Sequence, residues 1–111
     1  MGMVTVPRRG EVWLMDPGAA MGAEIRRLRP WLVVSPDDLN DMAPTVVVVP
    51  MTRGAHPYPF RVPCRFRGKR GHVVLDQVRA ADRGRFVRRL GALPPAVVRS
   101  ALGVLQQMFA A

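Results

Sequence analysis

The side chains best suited to acid–base chemistry in this sequence are its two histidines, His56 and His72. Imidazole titrates near neutral pH, so two convergent histidines could act as the acid and the base in cleavage of a phosphodiester. Nothing in the sequence makes them converge, because His56 lies between Ala55 and Pro57 while His72 opens a strand after a hairpin. We therefore interpret both as ordinary surface histidines.

The sequence contains no motif of the kinds that commonly bind a metal ion or a cofactor. The single Cys64 excludes a paired-cysteine zinc site and an internal disulfide. The aspartates at 37, 38 and 41 form the one acidic cluster, which we interpret as a solvated turn. A phosphate-binding glycine loop, a two-histidine zinc helix and a Gly-x-Ser-x-Gly turn are all missing. We expect neither a metal nor a cofactor.

The charge balance points to a polyanionic partner. Seventeen Lys and Arg stand against eight Asp and Glu, which gives a formal charge of +9 on 111 residues. Such an excess favours nucleic acid as the partner.

A hydrophobic content of 49% with 23% charged residues is typical of a folded globular chain, and the length predicts one domain over residues 1–111. A secretion signal and a membrane-length apolar run are not found, which favours the cytoplasm.

The elements that must position any site are short strands followed by one helix. Turn residues and alternation predict a mobile loop over 17–28, a turn over 37–41, a hairpin turn over 68–71 and an edge strand over 58–67. Pro94-Pro95 opens an amphipathic helix. The remaining predicted strands are 11–16, 30–36, 45–51, 72–75 and 85–90. This order predicts a mainly β fold, a small partly open antiparallel barrel with a C-terminal amphipathic helix.

A series of short motifs along these elements resembles a known family. They are Arg9-Gly10-Glu11-Val12-Trp13, Gly22-Ala23-Glu24, Arg29-Pro30-Trp31-Leu32-Val33-Val34-Ser35-Pro36, Val49-Pro50-Met51-Thr52, Tyr58-Pro59-Phe60 and Asp76-Gln77-Val78-Arg79. Their order, from about Arg8 to Phe109, is similar to that of the MazF/PemK toxins. The resemblance implies an SH3-like barrel, a homodimer, cleavage of single-stranded RNA to 2′,3′-cyclic phosphate and 5′-hydroxyl ends, and inhibition by a cognate antitoxin protein.

The same resemblance assigns roles to individual residues. The family's catalytic arginine and threonine fall on Arg29 and Thr52, and the loop glutamate that helps to line the site falls on Glu24. The chemistry is consistent with these residue types, because a fixed guanidinium can neutralise the charge of a phosphorane without a metal. The Thr52 hydroxyl would donate a hydrogen bond to a phosphate oxygen or to the attacking group.

Basic and aromatic side chains near these positions are candidates for holding RNA. The predicted RNA-binding residues are Arg26, Arg27, Arg53, His56, Tyr58, Arg61 and Arg79. Together with Arg83 the arginines of this set are expected in loops beside the site, whereas Arg99 stands alone on the helix. Trp13 and Trp31 lie inside strands and are expected in the core, so we expect only Tyr58 to stack on a base.

Two other functions remain open from the sequence. A gyrase poison would share the fold, but such toxins resemble one another in a Trp-Gly-Ile ending, whereas this sequence finishes Met108-Phe109-Ala110-Ala111. A non-catalytic RNA-binding barrel would need only the positive charge and a stacking aromatic. Some family members have a histidine at the position of Leu28, and a small or polar residue is common at the position of Arg53. These two differences predict a different base preference.

Overall fold

A computed structural model describes residues 5–18, 28–54 and 58–111. Within them the chain forms seven strands, two α-helices and two 3₁₀ turns, at Leu75–Gln77 and Arg83–Arg85. The strands are β1 (Glu11–Met15), β2 (Arg29–Val33), β3 (Thr45–Arg53), β4 (Arg61–Phe66), β5 (Lys69–Val74), β6 (Arg79–Asp82) and β7 (Phe86–Ala92). The helices are α1 (Asp37–Met42) and α2 (Pro95–Met108).

Every strand pairing is antiparallel, and the strand order is β4-β5-β3-β2-β1-β7 with β6 added beside β3. The long strand β3 is the centre of the sheet. It pairs with β2 on one side, and on the other side with β6 along its first half and with β5 along its last three residues. Register shifts between β1 and β7 add curvature, as bulges do. The prediction of a mainly β, partly open antiparallel barrel is confirmed.

Two apolar clusters, one on each face of the sheet, explain why the central strands are buried on both sides. Residues such as Leu32, Val49 and Met51 pack with α2 in the helix-side cluster. The side chains that alternate with them, including Trp31 and Val48, form the tryptophan cluster. Trp13 and Trp31 are 7% and 2% exposed, so both are core residues as predicted.

Helix α2 confirms its prediction in most respects. Pro95 occupies the first turn, where a missing amide hydrogen removes no intrahelical bond. Val98 and Ala101 are buried, and the next apolar positions of the same face pack against the helix-side cluster. Phe109 was expected to continue this face, but it caps the helix and is 74% exposed. The packed stripe therefore ends one residue earlier than predicted.

The predicted turn at 37–41 is wrong, because these residues form helix α1. The helix is held by tertiary hydrogen bonds and not by intrinsic preference. Asn40 is fully buried, and its side-chain amide donates to the Pro7 and Ser35 carbonyls at 3.0 and 3.1 Å. The Asp37 carboxylate accepts from the Arg9 amide at 2.8 Å.

The hairpin between β4 and β5 is confirmed, but its turn lies earlier than predicted. Arg67 and Gly68 both have positive φ, 51° and 76°, as the two central residues of a type I′ turn require. Residues 69–71, predicted in the turn, belong to β5. Strand β4 starts at Arg61, so 58–60 precede it, and it lies at a sheet edge as predicted. Strand β6 was not predicted.

Candidate functional site

The two principal candidates, Arg29 and Thr52, lie at the same end of neighbouring strands. Strands β2 and β3 pair with Trp31 opposite Pro50 and Val33 opposite Val48. Continuing that register by two residues places Arg29, the first residue of β2, opposite Thr52 near the end of β3. Directly opposite residues of antiparallel strands share a face, with β-carbons typically about 4.5–5.5 Å apart. The sheet therefore brings the guanidinium and the hydroxyl to one place.

The set of residues paired across the sheet at this level extends into the neighbouring strands on either side. Met15 of β1 is paired with Arg29, His72 of β5 with Thr52, and Pro63 of β4 with His72. We call these five residues the transverse row. Its middle contains a guanidinium, a hydroxyl and an imidazole. Sequence reasoning treated His72 as an ordinary surface residue, and only the pairing of β5 with β3 reveals its place.

The row lies on the face of the sheet that carries the tryptophan cluster. Met51 and Val73 belong to the helix-side cluster, so Thr52 and His72, which alternate with them, point to the opposite face. Trp31 belongs to the tryptophan cluster, and Arg29 lies two residues from it on the same strand. Arg29, Thr52 and His72 are all partly buried, which holds their stems while leaving surface for a ligand.

The backbone around Thr52 is held tightly by its neighbour β5. A β-carbon added to Gly71 would lie 2.0 Å from the Thr52 carbonyl oxygen and 3.0 Å from its carbonyl carbon. Real β-carbons do not come this close, so only glycine permits the observed approach of the two strands. Gly71 thereby fixes where β3 presents Thr52.

His72 is itself oriented by the end of β3. Its Nδ1 lies 2.8 Å from the carbonyl oxygen of Gly54, which follows β3. A carbonyl oxygen only accepts hydrogen bonds, so Nδ1 carries the hydrogen in this contact. The Nε2 atom of the neutral ring then has a free lone pair, and the tautomer is set by the fold.

A basic groove of about 290 Å³ runs past Thr52 along β3, β4 and β5. Its cations are Arg53, Arg67, Lys69 and Arg70, and its apolar lining comes from residues that include Met51, Cys64, Phe66 and Leu90. No Asp or Glu lines this groove among the described residues. Pro30 reaches the groove, but Arg29 is not one of its lining residues. Burial raises the pKa of the Cys64 thiol, so that group stays uncharged at neutral pH.

The predicted RNA-binding residues are distributed unevenly around this groove. Arg53 is exposed and lines it. Arg61 pairs with Asp76 at 3.2 Å and lies over the ring of Tyr58, 4.7 Å from its centroid. Arg79 donates from Nη1 to the Pro17 carbonyl at 3.0 Å. The candidates Glu24, Arg26, Arg27 and His56 lie outside the described residues.

The placement of Arg83 was predicted wrongly. Its amide donates to the Pro44 carbonyl and its guanidinium to the Asn40 carbonyl, so it braces α1. The neighbouring Asp82 pairs with Thr45, at the opposite end of β3 from Thr52. Arg53, Arg61 and Arg79 were also expected in loops, but they lie at the ends of strands.

Three further cations of the groove, Arg67, Lys69 and Arg70, were missed by sequence reasoning. Arg67 was interpreted as the end of the edge strand, and Lys69 and Arg70 as part of the hairpin turn. The signal that could have identified them is the concentration of positive charge at one hairpin tip. In the structure this tip borders the groove that contains Thr52.

Among residues 5–18, 28–54 and 58–111, no three His, Cys, Asp or Glu side chains come together as metal ligands. Over the same residues, neither helix has the length and apolar character needed to cross a membrane.

Fold and groove together define a small, basic, SH3-like β protein whose groove cations lie beside Thr52, the residue opposite Arg29 on the next strand. The chain matches the family of PemK-like, MazF-like toxins of type II toxin–antitoxin systems over residues 8–109, and it belongs to that family. It is similar to the endoribonuclease PemK of Escherichia coli, with 36% identity over 103 residues that cover 87% of this chain and 77% of the relative.

Solved structures agree with this assignment. The crystal structure of MazF from Deinococcus radiodurans superposes with a TM-score of 0.85 at 29% identity, covering 96% of this chain and 99% of that one. A mycobacterial endoribonuclease in complex with its cognate antitoxin superposes with a TM-score of 0.76 at 25% identity, covering 91% and 92%. The predicted family and fold are confirmed.

Proposed function

We propose that this protein is a toxin endoribonuclease that cleaves single-stranded RNA by attack of a ribose 2′-hydroxyl on the adjacent phosphorus, with Arg29 and Thr52 at the catalytic centre. The observation that carries the proposal is the register of β2 and β3, by which Arg29 and Thr52 lie opposite each other on one face of the sheet. Thr52 also lines the basic groove. The similar proteins named as endoribonucleases support the reaction class.

Each side chain has a distinct task in this reaction. As the 2′-oxygen bonds to phosphorus and the bond to the 5′-oxygen breaks, negative charge grows on the non-bridging oxygens. The Arg29 guanidinium is permanently charged and donates in a planar fork, so it stabilises that charge without a metal ion. The Thr52 hydroxyl donates to a phosphate oxygen or to the attacking group. The products are a 2′,3′-cyclic phosphate and a 5′-hydroxyl end.

The groove accounts for RNA binding in this proposal. Arg53, Arg67, Lys69 and Arg70 offer positive charge along a path that passes Thr52. Tyr58 is 61% exposed and carries Arg61 over its ring, a surface on which a base can stack. Glu24, Arg26, Arg27, His56 and Arg79 remain predicted contributors to the same site.

The proposed partners follow from the family and its relatives. The mycobacterial relative was solved with its cognate antitoxin, and we propose that a cognate antitoxin also neutralises this chain. An acidic segment of such a partner would compete with RNA for the basic groove. We further propose that the protein acts as a homodimer in the cytoplasm.

The test is cleavage of a messenger RNA transcript by purified protein with and without EDTA. We expect cleavage that survives chelation and leaves cyclic phosphate ends. Arg29→Gln and Thr52→Val should each slow it by about 10²- to 10³-fold. Arg99→Gln, on the helix, and Thr45→Val, at the other end of β3, are the matched controls and should retain activity.

Two results would count against the proposal. Intact RNA after incubation with folded wild-type protein that still binds it would indicate a non-catalytic RNA-binding barrel. Cleavage abolished by EDTA would remove the arginine-centred chemistry.

A further inference from the structure

We propose that His72 is a further catalytic residue of this site, which takes the proton from the attacking 2′-hydroxyl; the inference rests on the ribonuclease activity proposed above. The RNA reaction needs a group that removes this proton, and neither a guanidinium nor a threonine hydroxyl is a good base. The transverse row contains one side chain suited to the task, and it is the imidazole next to Thr52.

The pairing of β3 with β5 fixes the position of His72. Thr52 lies opposite His72, flanked on each side by Met51 opposite Val73 and Arg53 opposite Gly71. Because Met51 and Val73 face the helix-side cluster, Thr52 and His72 share the other face. The close approach at Gly71 keeps the two strands in tight contact at this point.

The hydrogen bond to Gly54 selects the form of the ring that can act as a base. Nδ1 donates to the Gly54 carbonyl oxygen at 2.8 Å, so the neutral ring has its lone pair on Nε2. Gly54 has φ +89°, a conformation that other residues rarely adopt, and this conformation accompanies the turn of its backbone at the end of β3. Thr52 and the carbonyl group that orients His72 therefore lie two residues apart, at and just after the end of β3.

The charges near His72 suit a phosphodiester. Arg70 lies two residues before His72 on β5, so it shares the face of the row, and Arg65 of β4 is paired with Arg70. A cavity of about 530 Å³ is lined in part by His72, Arg65 and Arg70. No Asp or Glu lines this cavity among the described residues. An anionic backbone held by these arginines would pass beside the imidazole.

The proposed step balances with water alone. Neutral His72 accepts the 2′-hydroxyl proton on Nε2 as the 2′-oxygen bonds to phosphorus and the bond from phosphorus to the 5′-oxygen breaks. The 5′-oxygen takes a proton from water, and the resulting hydroxide removes the proton from the imidazolium. The ring returns to its neutral form with Nδ1–H still directed at Gly54.

His72→Asn is the decisive variant, because the asparagine amide can still donate to the Gly54 carbonyl but cannot accept a proton. The substrate is a synthetic RNA oligonucleotide that contains a cut site mapped on a messenger RNA. We expect the single-turnover rate to fall by about 10²- to 10⁴-fold, the usual effect of losing a general base. The Kd for the 2′-O-methyl oligonucleotide, which cannot react, should stay within about threefold, since the arginines that bind it are unchanged.

A second substrate separates the two proton transfers. An RNA with sulfur in place of the bridging 5′-oxygen has a leaving group that needs no proton. If His72 is the base, His72→Asn stays slow on this substrate, and imidazole added to His72→Ala restores part of the rate. The imidazole experiment also serves if the asparagine variant proves unstable.

Three outcomes would overturn the inference. They are a single-turnover rate of His72→Asn within about threefold of wild type, full recovery of His72→Asn on the sulfur substrate, and a loss of rate matched by an equal loss of RNA affinity. Failure of the proposed function is distinguishable, because wild-type protein would then cut neither substrate. If Arg29→Gln abolishes cleavage while His72→Asn does not, only the assignment of His72 fails.

Discussion

Gly71→Ala offers a sharp test of how the site is positioned. The new β-carbon would lie 2.0 Å from the Thr52 carbonyl oxygen, whereas real β-carbons keep at least about 3.0 Å from other heavy atoms. The strands must therefore separate by about 1 Å at Thr52. A displacement of that size at a reacting group lowers the rate by about 10²-fold. Overpacking of this kind also costs about 1–3 kcal/mol of unfolding free energy.

Gly103→Ala is the matched control for this substitution. Gly103 lies within α2, and a β-carbon there would meet nothing within 4 Å, so alanine should stabilise the helix by about 0.5–1 kcal/mol. The measurements are thermal unfolding and single-turnover cleavage of the mapped oligonucleotide. We expect Gly71→Ala to lower the Tm by about 4–12 °C and the rate by about 10²-fold. Wild-type rate and Tm for Gly71→Ala would refute the claim that this contact positions Thr52.

Two further predictions concern the groove and the core. The double variant Lys69→Gln, Arg70→Gln removes two cations from the groove. The slope of log affinity against log salt concentration for 2′-O-methyl RNA, measured by fluorescence anisotropy, should become shallower by about 1.4. An unchanged slope would show that the RNA binds elsewhere. Asn40→Ala leaves buried hydrogen-bond partners unsatisfied and should lower the free energy of unfolding, measured with urea, by about 2–4 kcal/mol. Asp38→Ala, at an exposed position of the same helix, should change it by less than about 0.5 kcal/mol. Equal effects would show that the hydrogen bonds of Asn40 do not hold α1.

Local patterns predicted the elements whose own residues determine them. The Val-rich run of β3, the alternation in β4 and the proline start of α2 were all predicted and confirmed, because each is visible within a few neighbouring residues. Helix α1 was missed because its aspartates and asparagine favour turns, and only contacts to distant residues make it helical. Strand β6 reads Arg-Ala-Ala-Asp, a weak strand former, and pairing with β3 is what orders it.

The candidate site shows the same difference between residues that local patterns identify and residues that only tertiary pairing brings into place. Arg29 and Thr52 were assigned from motifs, and their adjacency follows from the antiparallel pairing of β2 with β3, the next strand in the chain. The position of His72 depends on which residue of β5 meets the end of β3, and a shift of one residue would turn its side chain to the other face. No local pattern determines that register, so the contact of His72 with Thr52's strand position could not be predicted from the residues around either one.

Because β3 pairs with β2, β5 and β6, its neighbours are complete only after β6 has been synthesised. The transverse row extends in sequence from Met15 to His72, so its members are far apart along the chain. Such non-local pairings form slowly during folding. A ribosome-bound fragment that ends before β5 contains Arg29 and Thr52 but not the strand that packs against Thr52 and carries His72. Catalytic competence should therefore appear late in the synthesis of the chain.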